Sequence, residues 1–163
     1  MSQKTVFLTG ATGLVGSYLL KILLQEGYKV YVLARGKDNK NARDRVTDVL
    51  EFWDKDVLSK TQNPPSPPFV KGGQGGFSEQ KGKLKKVNHI STAYICGDYK
   101  GAFKEEDLDV GQKFNSTYEQ SKFEAEKLVE KYRKGGLWID VFRPPIIIGE
   151  SNTGKILQFR NIY

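Results

Sequence analysis

The chain is short of the residues that make covalent staples and metal cages. It holds one cysteine, Cys96, and one histidine, His89, in 163 residues. A single thiol excludes an internal disulfide and suits a reducing compartment. With no second cysteine or neighbouring histidine there is no metal-ligand set and no cysteine nucleophile with its base. No apolar run approaches the length of a membrane span, and the N-terminal residues enter a strand too early for a secretory leader. A cytoplasmic location is the resulting expectation. The net charge is +7, with a local cluster at Lys81, Lys83, Lys85 and Lys86. No recognition helix, zinc ligand set or aromatic–basic ribonucleoprotein motif accompanies it. The surplus therefore reads as a solvated charged face, part of it available to an anionic ligand, rather than a nucleic-acid surface.

What is present is a glycine-punctuated turn. Val6-Phe7-Leu8-Thr9-Gly10-Ala11-Thr12-Gly13-Leu14-Val15-Gly16 is an apolar run broken by three glycines at three-residue intervals. Leu14, Val15, Tyr18, Leu19, Ile22 and Leu23 then continue at helical spacing. Gly10 lets the chain leave a strand sharply, Gly13 admits a pyrophosphate to the backbone, and Gly16 lets the helix lie close to the sheet. The helix opens with unpaired N–H groups and a positive dipole end. This predicts a strand over 4–9, a helix over 13–26 ended by Gly27, and a second strand over 29–34. In a dinucleotide fold an acidic residue after that strand accepts from the 2′-hydroxyl of NAD. Arg35 stands there instead, and a guanidinium suits the 2′-phosphate of NADP.

A second helix is expected over 41–54, with Val46, Val49, Leu50 and Trp53 on one face. The periodicity then fails. Pro64, Pro65, Pro67 and Pro68, followed by Gly72, Gly73, Gly75 and Gly76, exclude a helix or a central strand. Residues 59–85 are accordingly a Pro/Gly-rich linker, a disordered insertion within a single domain spanning 1–163. A strand over 87–92 runs on into Ala93-Tyr94-Ile95. A helix over 116–134 ends at Gly135-Gly136, and a strand over 137–142 is stopped by Arg143-Pro144-Pro145. Trp53 and Trp138 are expected in the core, and His89 is expected to be structural or exposed.

Tyr118 and Lys122 lie one turn apart on the last helix. An ammonium near a phenol favours the phenolate and makes the pair a usable proton donor or acceptor. Ser91-Thr92 adds a hydroxyl at the carboxyl end of a strand, where open α/β sheets bind ligands. It can donate to a carbonyl oxygen as charge develops. Thr92 is the first choice and Ser91 the reserve, because alternation sends them to opposite faces.

Together these segments resemble the extended short-chain dehydrogenase/reductases. They are similar in particular to the thioester-reductase branch, the male-sterility or fatty-acyl reductase type. The phrases that carry the resemblance are T-G-A-T-G-L-V-G, H-I-S-T-A-Y, F-N-S-T-Y-E-Q-S-K-F-E-A-E-K-L-V and R-P-P-I-I-I-G-E-S-N-T-G. They cover about residues 4–58 and 86–160. The resemblance implies an α/β fold, a Rossmann-like parallel sheet flanked by helices. It implies that Gly10, Thr12, Gly13, Leu14, Val15, Gly16 and Arg35 hold NADPH, and that Pro145 and Ile146 line the nicotinamide side. Thr92, Tyr118 and Lys122 would carry the chemistry, with Lys122 also fixing the ribose. The implied reaction is reduction of an acyl thioester, on coenzyme A or a carrier protein, to an aldehyde or alcohol. Tyr118 would give the proton to the carbonyl oxygen.

The sequence also departs from that family. A doubly wound sheet needs two further βαβ units, about 60 residues, between the second helix and residue 87. The Pro/Gly stretch cannot supply them, and it resembles translated dispersed repeat DNA. The helix asparagine that often completes the proton relay is missing, and Asn88 and Asn115 are not placed to replace it. The carboxyl-terminal substrate region is expected to be absent too. The expectation is a reduced sheet of about four strands and marginal stability. Two other readings stand beside the reductase. One is a sugar-nucleotide epimerase or dehydratase, against which Arg35 argues. The other is a non-catalytic nucleotide-binding remnant.

Overall fold

The structure, a computed structural model, describes residues 4–60 and 84–157, so most of the linker expected over 59–85 lies outside the described residues. The described elements are β1 (Thr5–Thr9), α1 (Leu14–Gln25), β2 (Lys29–Leu33), α2 (Ala42–Trp53), α3 (Lys55–Lys60), β3 (Val87–Ile90), α4 (Thr117–Lys134) and β4 (Ile139–Phe142). The protein is α/β, with short parallel strand pairs and helices between their strands. The chain forms two compact units: described residues 4–60 with the returning segment 147–157, and described residues 84–146.

In the first unit β1 and β2 pair in parallel, Thr5 opposite Lys29 through Thr9 opposite Leu33, with α1 as the connection. Alternation sends Leu8, Val30 and Val32 onto a core of Ala11, Leu20, Leu50 and Val57. It leaves Phe7, Tyr31 and Leu33 on the open face. Helix α2 brings Val49, Leu50 and Trp53 inward, on the face that the spacing predicts. Its start is fixed by Asn41, whose side chain accepts from the Asp44 N–H at 2.9 Å. Trp53 donates from its indole N–H to the buried Ser17 Oγ at 2.8 Å. This bond ties α2 to α1 while satisfying an otherwise stranded donor. Helix α3 runs to Lys60, so the chain stays helical just past the point where the linker was expected to begin.

In the second unit β3 and β4 pair in parallel, Val87 opposite Ile139 through Ile90 opposite Phe142, and α4 is the crossover. Helix α4 starts where Ser116 caps it, accepting from the Glu119 N–H at 3.2 Å. The Glu119 carboxylate takes the Asn115 N–H at 2.9 Å. It ends at Gly135-Gly136, with Gly136 N–H donating to the Arg133 carbonyl and Leu137 N–H to that of Tyr132.

Three expectations need correction. The four strands form two parallel pairs among the described residues, not one sheet of about four. No described strand belongs to both pairs. Residues 93–96 form a 3-10 turn rather than a continuation of β3. The Thr92 hydroxyl accepts from the Tyr94 N–H, and this local bond turns the backbone out of the strand. Trp138 is exposed, not core. It precedes β4, and its ring lies 5.0 Å below the Lys86 ammonium, a cation–π contact that a surface ring can hold in water.

Candidate functional site

The glycine turn of the first unit takes the shape its spacing predicts. Gly10 leaves β1 at φ +70°, a conformation that side chains bearing a Cβ rarely adopt. Gly13 donates to the Gly10 carbonyl at 2.9 Å and is the N-cap of α1, where no side chain takes up the first helical N–H groups. Leu14 and Val15 form the first turn. A Cβ on Gly16 would lie 2.1 Å from the Gly10 carbonyl oxygen, so only glycine lets the helix start this close to the strand end. The result is a backbone cradle at an uncapped helix N-terminus, which fits a pyrophosphate.

Two arginines adjoin this turn. Arg35 follows β2 with its side chain exposed, and its carbonyl accepts from Arg45 Nη1 at 2.6 Å. The Nη2 of Arg45 donates to Thr12 Oγ1 at 3.0 Å. Arg45 thus joins the glycine turn to the end of β2, bringing Thr12 and Arg35 together. Sequence reading passed over Arg45, because its only signal was a position at the edge of α2's apolar face.

The same unit receives the segment after residue 146. Glu150 accepts from the Tyr18 hydroxyl at 2.8 Å, from Lys21 Nζ at 3.4 Å and from Thr153 Oγ1. These donors, Thr153 and Tyr18 foremost, hold the Glu150 carboxyl below its ordinary value. The hydrogen bond to the Glu150 carboxylate in turn makes the Tyr18 phenol harder to ionise. Glu150 belongs to a phrase that carried the resemblance, but nothing local marked it as a clasp on α1.

In the second unit the hydroxyl, phenol and ammonium candidates share one βαβ element. Thr92 is buried at the end of β3. Its Oγ1 accepts from the Tyr94 N–H at 3.3 Å, which leaves the hydroxyl proton free for donation. Ser91 Oγ is buried and unpartnered among the described residues. Tyr118, in the first turn of α4, is 53% exposed and so reachable from solvent. Lys122 lies one turn on, its ammonium 5.9 Å from the Tyr118 ring centre. Its Nζ donates to the Ile90 carbonyl at 3.3 Å, two residues before Thr92. The three candidates are thereby brought to one end of β3, although no hydrogen bond joins the Tyr118 and Thr92 hydroxyls directly. Pro145 and Ile146 are exposed beyond β4, and the neighbouring Pro144 carbonyl accepts from the Ala93 N–H at 3.0 Å.

Beneath this end lies an ion pair that the sequence did not announce. Glu126, 3% exposed, takes Arg143 Nε at 3.1 Å on both oxygens and Nη2 at 2.7 Å. Arg143 Nη1 reaches the carbonyls of Lys104 and Glu105, and its guanidinium lies 5.5 Å from the Phe103 ring centre. One fork thus holds β4, α4 and the 103–105 loop together.

Comparison with known proteins gives this arrangement a family context. The family model described as male sterility protein, an NAD-binding model, matches residues 8–64 and 76–163. Its break falls within the Pro/Gly stretch. The nonribosomal peptide synthetase asaC of Aspergillus flavus is 28% identical over 213 residues, covering 94% of this chain and 21% of its own length. That aligned stretch is 213 residues against a chain of 163, so at least 50 of its positions have no counterpart here. The carboxylic acid reductase of Segniliparus rugosus is 42% identical over 60 residues, 34% of this chain and 5% of its own. The thiolation-reductase di-domain of an archaeal non-ribosomal peptide synthetase has the same fold, with a TM-score of 0.69 at 20% identity. It is matched over 96% of this chain and 44% of that one. The chain thus spans well under two thirds of these relatives.

Proposed function

The chain belongs to the male sterility protein family, and from that premise we propose that it is an NADP(H)-dependent reductase of acyl thioesters carried on coenzyme A or a carrier protein. The observation that carries the proposal is the arrangement at the end of β3. Tyr118 and Lys122 are one turn apart on α4, and Lys122 is seated on the Ile90 carbonyl next to Ser91-Thr92. The nicotinamide, when bound, supplies hydride to the thioester carbonyl carbon. The residues of this chain do the rest. Gly10, Gly13 and Gly16 with the first N–H groups of α1 hold the pyrophosphate, and Thr12 sits within the same turn. Arg35 selects the 2′-phosphate. Thr92 and Tyr118 donate to the carbonyl oxygen, Tyr118 gives up its proton there, and Lys122 orients the couple. Pro145 and Ile146 supply an apolar edge beside it.

The test is fluorescence titration of the purified chain with NADPH and with NADH, then NADPH oxidation in the presence of a long-chain acyl-CoA. Tighter NADPH binding and thioester-dependent oxidation are expected. Turnover that survives in Tyr118→Phe would remove Tyr118 from the chemistry. A second reading is a nucleotide-binding remnant, favoured by the positions of the asaC alignment that have no counterpart here. NADPH binding with no oxidation would select it.

A further inference from the structure

The hydroxyls of Thr92 and Tyr118 have to meet one carbonyl oxygen, yet they are not bonded to each other, so their separation is set by the chain between them. That chain is the Ala93–Cys96 turn and then a loop over 98–113 whose ends meet. The Asp98 N–H donates to the Lys113 carbonyl at 3.0 Å, and the Lys113 N–H donates to the Asp98 carboxylate at 2.8 Å. Gln112 sews the loop to the turn. Its side-chain nitrogen donates to the carbonyls of Ile95 at 2.9 Å and Leu108 at 2.8 Å, and its oxygen accepts from the Val110 N–H at 3.0 Å. Closed ends and internal bonds of this kind make a compact Ω-loop. Just after it the Phe114 ring packs on Phe123 of α4, centres 4.9 Å apart. The crown of the loop is joined to α4 by Arg143. This side chain gives Nε and Nη2 to Glu126 and keeps Nη1 for the carbonyls of Lys104 and Glu105, at 3.4 and 3.2 Å. Among the described residues the loop's other charged link to α4 is Asp109 with Lys127 at 3.4 Å, a solvent-exposed pair that is worth little.

We propose that Arg143 is a positioning residue for the Thr92 and Tyr118 hydroxyls: by pinning the crown of the 98–113 loop to α4, it makes that loop a brace between the end of β3 and the start of α4. Thr92 leads into the turn on one side of the loop and Tyr118 opens the helix on the other. A loop closed at its base and pinned at its crown leaves neither end free to drift. The guanidinium divides its work. Nε and Nη2 neutralise the buried Glu126, which supports the fold, while Nη1 holds the loop carbonyls, which sets the geometry. A planar fork of donors serves both at once, whereas a lysine ammonium is a point charge that can keep the first role and not both. The proposal rests on the reading of Thr92 and Tyr118 as the pair that holds the carbonyl oxygen, and the test separates the two.

Amide hydrogen exchange on the whole chain reads the brace directly, because bonded amides flank both hydroxyls. The Tyr94 N–H is held by Thr92 Oγ1, and the Glu119 N–H by Ser116 Oγ. In Arg143→Lys the amides of Tyr94, Asp98, Lys113 and Glu119 should exchange about tenfold faster, the scale of one lost hydrogen bond to a charged group. Those of Val87 and Gly135, bonded to the carbonyls of Trp138 and Lys131, should keep their rates. Equal acceleration at every amide would mark an effect on stability alone, and unchanged rates beside the loop would mark a passive contact. Either result overturns the proposal. If Arg143→Lys does not fold, Glu126→Leu combined with Arg143→Met removes the buried charges together with the pin, and the same pattern is expected of it. The second arm is turnover of a long-chain acyl-CoA. In Arg143→Lys kcat should fall by about ten- to a hundredfold, with KM and NADPH affinity unchanged, since the glycine turn and Arg35 belong to the other unit. A loss confined to KM or to NADPH affinity overturns the positioning role. A wild-type chain that turns over no thioester refutes the reductase reading instead, and the exchange pattern alone then decides whether Arg143 braces the two hydroxyls.

Discussion

A carboxylate as buried as Glu126 survives in this fold because the guanidinium of Arg143 meets both of its oxygens. Removing one partner leaves a charge with neither water nor counterion, so Arg143→Ala should destabilise the chain by about 3–5 kcal/mol, read from urea denaturation. Replacing both partners with apolar residues of similar volume should cost much less. Arg35 lies at the opposite extreme, exposed just after β2. Arg35→Ala should narrow the preference for NADPH over NADH by about tenfold or more, consistent with the loss of a charge-assisted hydrogen bond of roughly 1.5–3 kcal/mol, measured by parallel fluorescence titrations. Arg45→Ala should loosen Thr12 and the β2 end together. The candidate couple Tyr118 and Lys122 was read from its four-residue spacing joined to the upstream glycine turn and the Ser91-Thr92 strand end, not from the spacing alone. Arg45, Glu126 and Arg143 were not legible, because their partners come from other elements and no local pattern encodes a contact across them.

At the scale of elements, α1 of the first unit and α4 of the second each depend on their ends. Helix α1 can begin against the end of β1 only because Gly16 has no side chain. Gly16→Ala must displace the Gly10 carbonyl or the helix, at a cost of about 1–3 kcal/mol typical of overpacking. It should also weaken nucleotide binding more than a substitution elsewhere on α1. Helix α4 is fixed by the Ser116 cap, and Ser116→Ala should cost about 1 kcal/mol in the thermal midpoint while leaving the fold intact. Helix starts and stops were readable because capping residues act within a few positions of chain. The 3-10 turn at Ala93–Cys96 was not, since one hydroxyl–amide bond at Thr92 overrode the strand propensity of the residues after it.

For the molecule as a whole, the paired ribbons leave large apolar side chains in water: Phe7, Leu33 and Phe142 on the strands, and Trp138 just before β4. Burial on this scale supports limited stability, and the melt should be broad or centred below about 60 °C. Acid should weaken the fold in two stages. The folded imidazole of His89 binds protons less readily than the unfolded one, so its contribution is complete above 6.5 and is lost as pH falls from there. Glu150 has a depressed carboxyl, so the stability it adds is present above the ordinary glutamate value of 4.5 and disappears as pH falls through its lower folded value. Urea midpoints measured from pH 8 to pH 3 should decline in that order, and His89→Gln should remove the first decline alone.

By itself the order of residues determined the α/β class, the glycine turn and the tyrosine–lysine spacing. Each of these is written in local periodicity. Tertiary structure alone decided that the described strands pair two by two, that Trp138 stays outside and that Glu150 clasps α1. Those outcomes depend on which distant side chains meet when apolar faces are buried, and packing, unlike periodicity, has no short-range signature.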